Sequence, residues 1–307
     1  MRALVVTNMY PTPARPELGS FVRDQIAALR RIDGVDVQVF AFQPGNVGAY
    51  VDAARQLRRQ HNRDRFDVVH AHFGLTAWPA FAARGEAHAV TLHGTDLVHP
   101  RSRAITTAAL PFLDLVATVS EPLAAEVPGW AVRHTRRAVL PCGVDMERFK
   151  PIPRSEARQR LGLEPTRRYL LFPADPARPE KRYDRARGAA ADTELLTLGN
   201  VDPAQVPFYV NAANAVLVPS ERESFGLSVL EALACDVPVL ATRVGIAPQA
   251  LEDLRGTLCA PFDEARWRNA LAPHLDSDDP RVDGRARAER FSSDRMAADV
   301  VAAWRSL

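Results

Sequence analysis

The stretch Ala215–Thr242, AVLVPSERESFGLSVLEALACDVPVLAT, holds two short apolar runs, Ala215–Val218 and Val237–Ala241, the first halted by Pro219. Runs of that length bounded by turn residues are the mark of buried strands. Between them Leu227, Leu230, Leu233 and Ala234 recur at helical spacing, which predicts a helix over Gly226–Ala234 that Asp236 and Pro238 bring to an end. Strand, loop, short helix and strand form the crossover unit of a parallel α/β sheet. Such a sheet gathers its ligands at the carboxyl ends of its strands.

Two carboxylates stand at that end, Glu223 in the loop and Glu231 eight residues on, inside the helix. Glu223 precedes the amides of Phe225, Gly226 and Leu227, which together with the helix dipole suit a phosphate. Gly226 allows close backbone approach. An ionised Glu231 can accept hydrogen bonds from two vicinal hydroxyls, as an acid does toward ribose in dinucleotide folds. A loop acid, a phosphate cradle and a ribose acid together suggest a sugar nucleotide, although either acid alone reads equally well as a solvated side chain. The whole pattern P-S-x-x-E-S-F-G-L-x-x-L-E-A-L-A-C-x-x-P-V resembles the E-x7-E segment of the retaining glycosyltransferases of family 4, which have the GT-B fold. The resemblance implies that Glu223 meets hydroxyls of the donor sugar, that the amides of Phe225–Leu227 meet the diphosphate, and that Glu231 meets the ribose.

A chain of 307 residues is long for one core and comfortable for two domains of about 150. Residues 1–150 carry 18 Lys+Arg against 14 Asp+Glu and residues 151–307 carry 21 against 23, an asymmetry too mild to argue for nucleic acid. Cys142, Cys235 and Cys259 are odd in number and widely spaced, so neither a disulfide framework nor a structural zinc site is expected, and a reducing cytosol fits. The first residues read as a strand and not as a signal peptide, and no apolar run is long enough to span a membrane.

Ala3–Thr7 reads as a strand. It is followed by a Pro-broken loop, by Ser20 as a helix cap, and by a Val22, Ile26, Leu29, Ile32 stripe ending near Gly34. Further strands at 35–42, 67–72, 89–93, 115–120 and 138–140 alternate with helical stretches, the doubly wound pattern. The loop before the first helix resembles the family's YPxxxxPxxGxF segment, in which Gly19 lets backbone approach donor phosphate or acceptor. Thr91–Asp96 resembles its T-x-H-G-x-D loop. There His93 would hydrogen-bond the donor sugar, Gly94 would keep the loop close, and Asp96 would orient the loop or bind acceptor.

His70, His72 and His93 together raise a metal site, but no carboxylate or cysteine stands beside them at ligand spacing, and none is expected. Arg101 and Arg103 suit an acceptor phosphate or lipid diphosphate. Arg55, Arg58 and Arg59 on a helical stretch read as a solvated face or, more sharply, as a contact with anionic lipid worth about 1 kcal/mol per charge.

Pro141–Asp145, with Cys142 where the family has Asn, resembles the segment leading into a second domain. Its strand at 169–173 is followed by Asp175–Lys181, which resembles the family's diphosphate loop. Lys181 carries over to the family's Lys. Pro176 stands where Arg is usual, and Arg178 is the nearest substitute, with Arg182 a weaker candidate. A cation there would stabilise the departing nucleoside diphosphate, a contribution of roughly 3–4 kcal/mol for one preorganised donor. Between this loop and Ala215 only a helix at 182–191, a strand at 194–198 and a helix at 206–213 fit, with Gly199-Asn200 between the last two, so one family strand–helix unit is absent. Gln249 replaces an acid common in the family's G-G-x-x-E loop.

The expectation is a short GT-B protein. Two Rossmann-like, doubly wound parallel-sheet domains face each other across a cleft: an acceptor-side domain over residues 1–150 and a nucleotide-sugar domain over 151–290, with a helix at 291–307 returning to the first. The activity implied is transfer of a sugar, with retention and without cofactor or metal, from a UDP-sugar, GDP-sugar or related donor to a hydroxyl acceptor, lipid-linked acceptors included, by a protein that is cytoplasmic or peripheral on the inner face of the plasma membrane. It would serve glycan, glycolipid or cell-envelope polysaccharide synthesis. The alternatives are an inverting transferase or sugar-nucleotide epimerase on the same fold, for which Asp96 is the base to test, and a sugar-nucleotide-binding protein without turnover.

Overall fold

The structure, a computed structural model, describes residues 1–199 and 201–307; Asn200 of the Gly199-Asn200 pair lies outside the described residues. The chain divides into two compact units, Met1–Gly143 with Ser293–Leu307, and Val144–Ser292.

The first unit runs β1 (Arg2–Thr7), α1 (Ser20–Leu29), β2 (Asp36–Ala41), α2 (Val47–Gln60), β3 (Phe66–His72), α3 (Ala77–Ala80), β4 (Gly85–Leu92), α4 (Thr95–Val98), α5 (Pro100–Ala109), β5 (Leu115–Thr118), α6 (Glu121–Ala125) and β6 (Arg136–Val139). Its six strands form one parallel sheet in the order β2-β1-β3-β4-β5-β6. After β2 the chain returns to the other side of β1 to lay down β3, so the strand order reverses between β1 and β3 and their carboxyl ends are the switch point where α/β sheets hold ligands. The inner strands such as β1 and β5 read as near-continuous apolar runs because helices cover both faces, while the edge strands β2 and β6 are partly exposed.

The second unit runs α7 (Arg154–Leu161), β7 (Tyr169–Phe172), α8 (Tyr183–Ala190), β8 (Glu194–Thr197), α9 (Val206–Ala212), β9 (Ala215–Val218), α10 (Leu227–Ala234), β10 (Val239–Ala241), α11 (Ala247–Ala250), β11 (Leu258–Cys259), α12 (Glu264–Asp276) and α13 (Arg285–Glu289). Its five-stranded parallel sheet has the order β11-β10-β9-β7-β8, so its switch point lies between β7 and β9. Among the described residues the chain from β7 to β9 holds one strand, β8. That strand pairs directly with β7 from Tyr169–Glu194 to Phe172–Thr197, closing the edge of the sheet.

The last helix, α14 (Ser293–Arg305), belongs to the first unit. Met296, Val300, Val301 and Trp304 share a face at helical spacing and are buried in one cluster with Val22, Ile26 and Leu29 of α1. Trp304 reaches further, donating its indole N–H to His70 Nδ1 at 2.8 Å.

The start of α1 corrects one expectation. The cap is Gly19, in the left-handed region at φ 66°, and Ser20 is the first helical residue, with no side-chain cap hydrogen bond. A Cβ on Gly19 would lie 2.2 Å from the Met9 carbonyl oxygen. The approach of the preceding loop, not a hydroxyl, therefore decides what residue can stand there.

Candidate functional site

In the second unit the loops after β7 and β9, adjacent strands at the switch point, bring Lys181 and Glu223 together. Lys181 Nζ lies 2.6 and 2.7 Å from the two carboxylate oxygens of Glu223, and the Ser220 hydroxyl donates to Oε1 at 2.7 Å. The two side chains are only 15% and 8% exposed. A pair so withdrawn from water stands because each charge is matched, and either alone would be strongly penalised. Ser220 is in turn held by the Thr242 hydroxyl, which donates to its carbonyl. A small cavity beside the pair is lined by Phe172, Pro173, Ala174, Lys181, Ser220 and Ser228 among others.

The helix α10 begins beside this pair. Gly226 caps it at φ 90°, a conformation that side chains disfavour. The amides of its first turn have no acceptor within the helix and carry its positive end. Phe225 is buried, and its carbonyl accepts from Ile246 N–H at 2.6 Å. Glu231 lies one turn beyond Leu227, partly exposed on the same helix. Glu223, Lys181, Phe225, Gly226, Leu227 and Glu231 thus belong to one end of one sheet. Arg178 is not brought to the pair: its guanidinium is exposed and bound to Glu180 at 2.7 and 2.9 Å. Arg182 is likewise engaged by Asp184 and Glu221.

Ser220 and Gly245 stand in segments that the sequence reading matches to the family, but it assigns no role to either. Gly245 has φ 57°, and a Cβ there would meet Phe225 O at 2.3 Å and Glu223 Cβ at 2.9 Å. It is the floor on which the Glu223–Gly226 loop rests. The sequence signal is its place in the segment that resembles the family's G-G-x-x-E loop, which does not say what the glycine packs against.

In the first unit the loops after β1, β3 and β4 carry Asn8, Gly74 and His93–Asp96. Asp96 is buried, and its two carboxylate oxygens are both taken by backbone amides, Gly74 N–H at 2.7 Å and His93 N–H at 2.6 Å. Burial raises its pKa against those hydrogen bonds. Asp96 therefore ties two loops together, and Gly94, at φ 99°, makes the turn between His93 and α4.

The three histidines form a stack. His70 and His72 lie 5.2 Å apart at 14°, and His72 and His93 5.2 Å apart at 24°, with Phe21 and Phe73 against His93. His72 Nδ1 and His93 Nε2 are hydrogen-bonded at 3.0 Å, and His70 Nε2 reaches the Thr91 hydroxyl at 2.8 Å. Burial pushes the His72 pKa down to about 4. It also drives those of His70 and His93 well below the ordinary histidine value, with the neighbouring imidazoles adding to the effect. All three are neutral at pH 7.

Their protons can be followed. An indole N–H only donates, so His70 accepts from Trp304 at Nδ1 and carries its own proton on Nε2, where it donates to Thr91. His72 Nε2 is buried without a partner. A buried N–H left orphaned is rarer than an under-used acceptor, so the His72 proton sits on Nδ1 and is donated to His93. That leaves the His93 proton on Nδ1, as a donor for a ligand oxygen. Both nitrogens of His70, His72 Nδ1 and His93 Nε2 are committed to this chain of hydrogen bonds and to Trp304, a partner the sequence showed only as part of a helical stripe.

Arg101 and Arg103 lie exposed on α5, and Arg103 donates to the Glu126 carbonyl at 3.2 Å. Arg55, Arg58 and Arg59 are exposed on α2, Arg55 paired with Asp52 at 3.1 Å.

Two parallel-sheet units of this topology, with the candidate side chains at their switch points, are the architecture of a GT-B glycosyltransferase. The family models agree: residues 3–148 match Glycosyltransferase Family 4 and residues 163–291 match Glycosyl transferases group 1. The chain belongs to glycosyltransferase family 4. It is 30% identical to a D-inositol 3-phosphate glycosyltransferase of Actinosynnema mirum, over 85% of this chain and 77% of the relative. It is 29% identical to one of Pseudarthrobacter chlorophenolicus, over 80% and 71%. The first alignment runs 326 positions on 85% of 307 residues, so the relative holds about 65 positions without counterpart here. Among solved structures, sucrose-phosphate synthase of Thermosynechococcus elongatus superposes with TM-score 0.77 at 19% identity, covering 100% of this chain and 99% of that one. Anabaena HepE in complex with UDP and glucose superposes with TM-score 0.72 at 18% identity, covering 99% and 100%.

Proposed function

We propose that the protein transfers a sugar from a nucleoside-diphosphate sugar to a hydroxyl acceptor with retention at the anomeric carbon. The carrying observation is the buried Lys181–Glu223–Ser220 cluster at the switch point of the second unit, beside the positive end of α10. The diphosphate that leaves as the glycosidic bond breaks gains negative charge, and Lys181 and the amides of Phe225–Leu227 are the groups to stabilise it. With Lys181 drawn to that phosphate, Glu223 is released to accept from sugar hydroxyls, and Glu231 takes the ribose. His93 supplies a hydrogen-bond donor for a sugar hydroxyl. The leaving phosphate oxygen takes the acceptor's proton on the face where the new bond forms.

UDP-sugars are the first donors to test, because HepE, a protein of the same fold, binds UDP and UDP-glucose. Asp96 does not favour the inverting reading, since both its oxygens are occupied by backbone amides. The basic face of α2 fits a peripheral contact with an anionic membrane through Arg55, Arg58 and Arg59.

The test is a thermal-shift panel of UDP, GDP, ADP, TDP and their sugars on the wild type and on Glu231→Ala. A ligand at 100 times its Kd adds about 2.7 kcal/mol of stability. Stabilisation by one nucleotide that Glu231→Ala abolishes, followed by hydrolysis or transfer of its sugar, supports the reading. Stabilisation without turnover leaves a binding protein, and no response to any nucleotide overturns the donor site.

A further inference from the structure

An apolar groove of about 550 Å³ lies on the first unit, lined by Val47, Tyr50, Val51 and Ala54 of α2, by Leu75 and Trp78, and by Ile105 of α5. Val47 is 75% exposed, Val51 43%, Trp78 42% and Ile105 44%. Large side chains are rarely left in water in one contiguous patch without something to cover them.

Its inner end can be placed. Helices of a parallel sheet begin where strands end, so Tyr50 in the first turn of α2 and Arg101 in the first turn of α5 both lie at the carboxyl edge. Asn8, just after β1, donates from Nδ2 to the Tyr50 hydroxyl at 2.9 Å, and its Oδ1 is buried with no hydrogen-bond partner. Leu75 follows Gly74, whose amide is bound to Asp96 of the His93 loop. The groove therefore ends against the loops at the switch point of this sheet, the acceptor-side candidates. Arg101, four residues before Ile105, stands one turn from the lining on the same helix face, exposed and, among the described residues, in no ion pair.

We propose that this groove receives the hydrocarbon chain of an amphiphilic acceptor whose phosphate head group is bound by Arg101 next to the His93 loop. Apolar walls, a single cation at the end nearest the loops and an orphaned acceptor on Asn8 match a molecule with a chain, a phosphate and a hydroxyl, in that order. The word acceptor rests on the transferase reading; the binding itself does not.

The probe is dodecyl phosphate with a bromine on the chain, added to the Trp130→Phe protein. There Trp78 is the only remaining exposed tryptophan, because Trp267 and Trp304 are buried. Saturable quenching of Trp78 is expected, with at least ten-fold weaker binding in Val51→Asp and in Val47→Asp. Both positions are exposed enough that the fold tolerates the charge, and circular dichroism checks that it does. Arg101→Ser should weaken dodecyl phosphate several-fold while leaving brominated dodecyl maltoside unchanged. No quenching, or quenching indifferent to Val51→Asp and Val47→Asp, overturns the proposal. So does a concentration-dependent dimer that Val51→Asp dissociates, since a second copy would then be the occupant. Because no nucleotide is present, failure here leaves the donor site standing, and failure of the nucleotide panel leaves this groove standing.

Discussion

Replacing Lys181 with Met keeps the length of the side chain and removes its charge, which leaves Glu223 at 8% exposure with only the Ser220 hydroxyl against it. Breaking a buried pair by deleting one partner costs about 3–5 kcal/mol, since the survivor stays desolvated without its counter-charge. Glu223→Gln strands the ammonium instead. At 15% exposure and on a flexible stem the lysine escapes more readily, so about 1–3 kcal/mol is expected from this change. The double variant has no buried charge left, and its cost should fall below that of Lys181→Met alone. The two sites therefore couple by at least the cost of Glu223→Gln, about 1–3 kcal/mol, above the additivity limit of about 0.5 kcal/mol for independent sites. Urea unfolding of the four proteins gives the cycle directly. In thermal melts the single Lys181→Met loss corresponds to roughly 6–20 °C for a unit of this size. Additive losses, or a double variant less stable than Lys181→Met, would refute the idea that Lys181 and Glu223 neutralise each other in the unliganded protein.

Gly245→Ala places a Cβ against Phe225 O in a left-handed backbone, so it should cost at least about 2 kcal/mol and weaken nucleotide binding; an unchanged melt and an unchanged Kd would show that the Glu223 loop does not rest there. Trp304→Phe strips His70 Nδ1 of its donor and should cost about 1–3 kcal/mol, with the tautomer of His70 losing its fixed Nε2–H signature in nitrogen-15 spectra. The buried histidines set a pH dependence of definite sign. Each has a folded pKa below its unfolded value, so the unfolded chain binds the proton first and stability falls as pH drops below about 6.5. For His72, with its pKa at about 4, the full loss by pH 4 is roughly 3 kcal/mol. Asp96, raised by burial, works in the opposite direction. Urea midpoints that stay level from pH 7 to pH 5 would count against a neutral, buried stack.

The strands and the α10 segment were legible because a parallel sheet covered on both faces writes itself as short apolar runs, and Ala215–Val218 was placed without error. Glu223 and Gly226 were singled out because loop acids and glycines at strand ends carry ligand chemistry in any doubly wound sheet, whereas Lys181 came from the resemblance of Asp175–Lys181 to the family's diphosphate loop. The missing information is pairwise. That Lys181 and Glu223 hold each other, that Arg178 turns to Glu180, and that Trp304 holds the tautomer of His70 from 234 residues away depend on which loops the sheet order makes neighbours. A local sequence pattern does not encode that order. Asp96 is the instructive case: the resemblance offered loop orientation as one of its two roles, and its two amide partners show which loops it joins.

The shortness of the second unit bears on what the protein can still do. What the sequence lacks, against the family pattern, falls between β7 and β9, where the chain makes its excursion to the sheet edge and back. Among the described residues the single strand there, β8, pairs with β7 along its whole length, and β7 pairs with β9. Losing an edge unit therefore shortens the sheet without moving its switch point. The carboxyl ends of β7 and β9 are where Lys181 and Glu223 meet, and α10 follows β9 directly. The diphosphate and sugar contacts of the donor reading depend on those strand ends, which the sheet keeps side by side. Contacts carried by the lost loop would fall farther along the donor, at its nucleobase. Affinity for the shared diphosphate should accordingly survive while discrimination among bases weakens. Competition of UDP, GDP and ADP for one site measures this: Kd values within about ten-fold of one another agree with the argument, and a hundred-fold preference for one base, equivalent to about 2.7 kcal/mol, would mean that other residues have taken over base recognition.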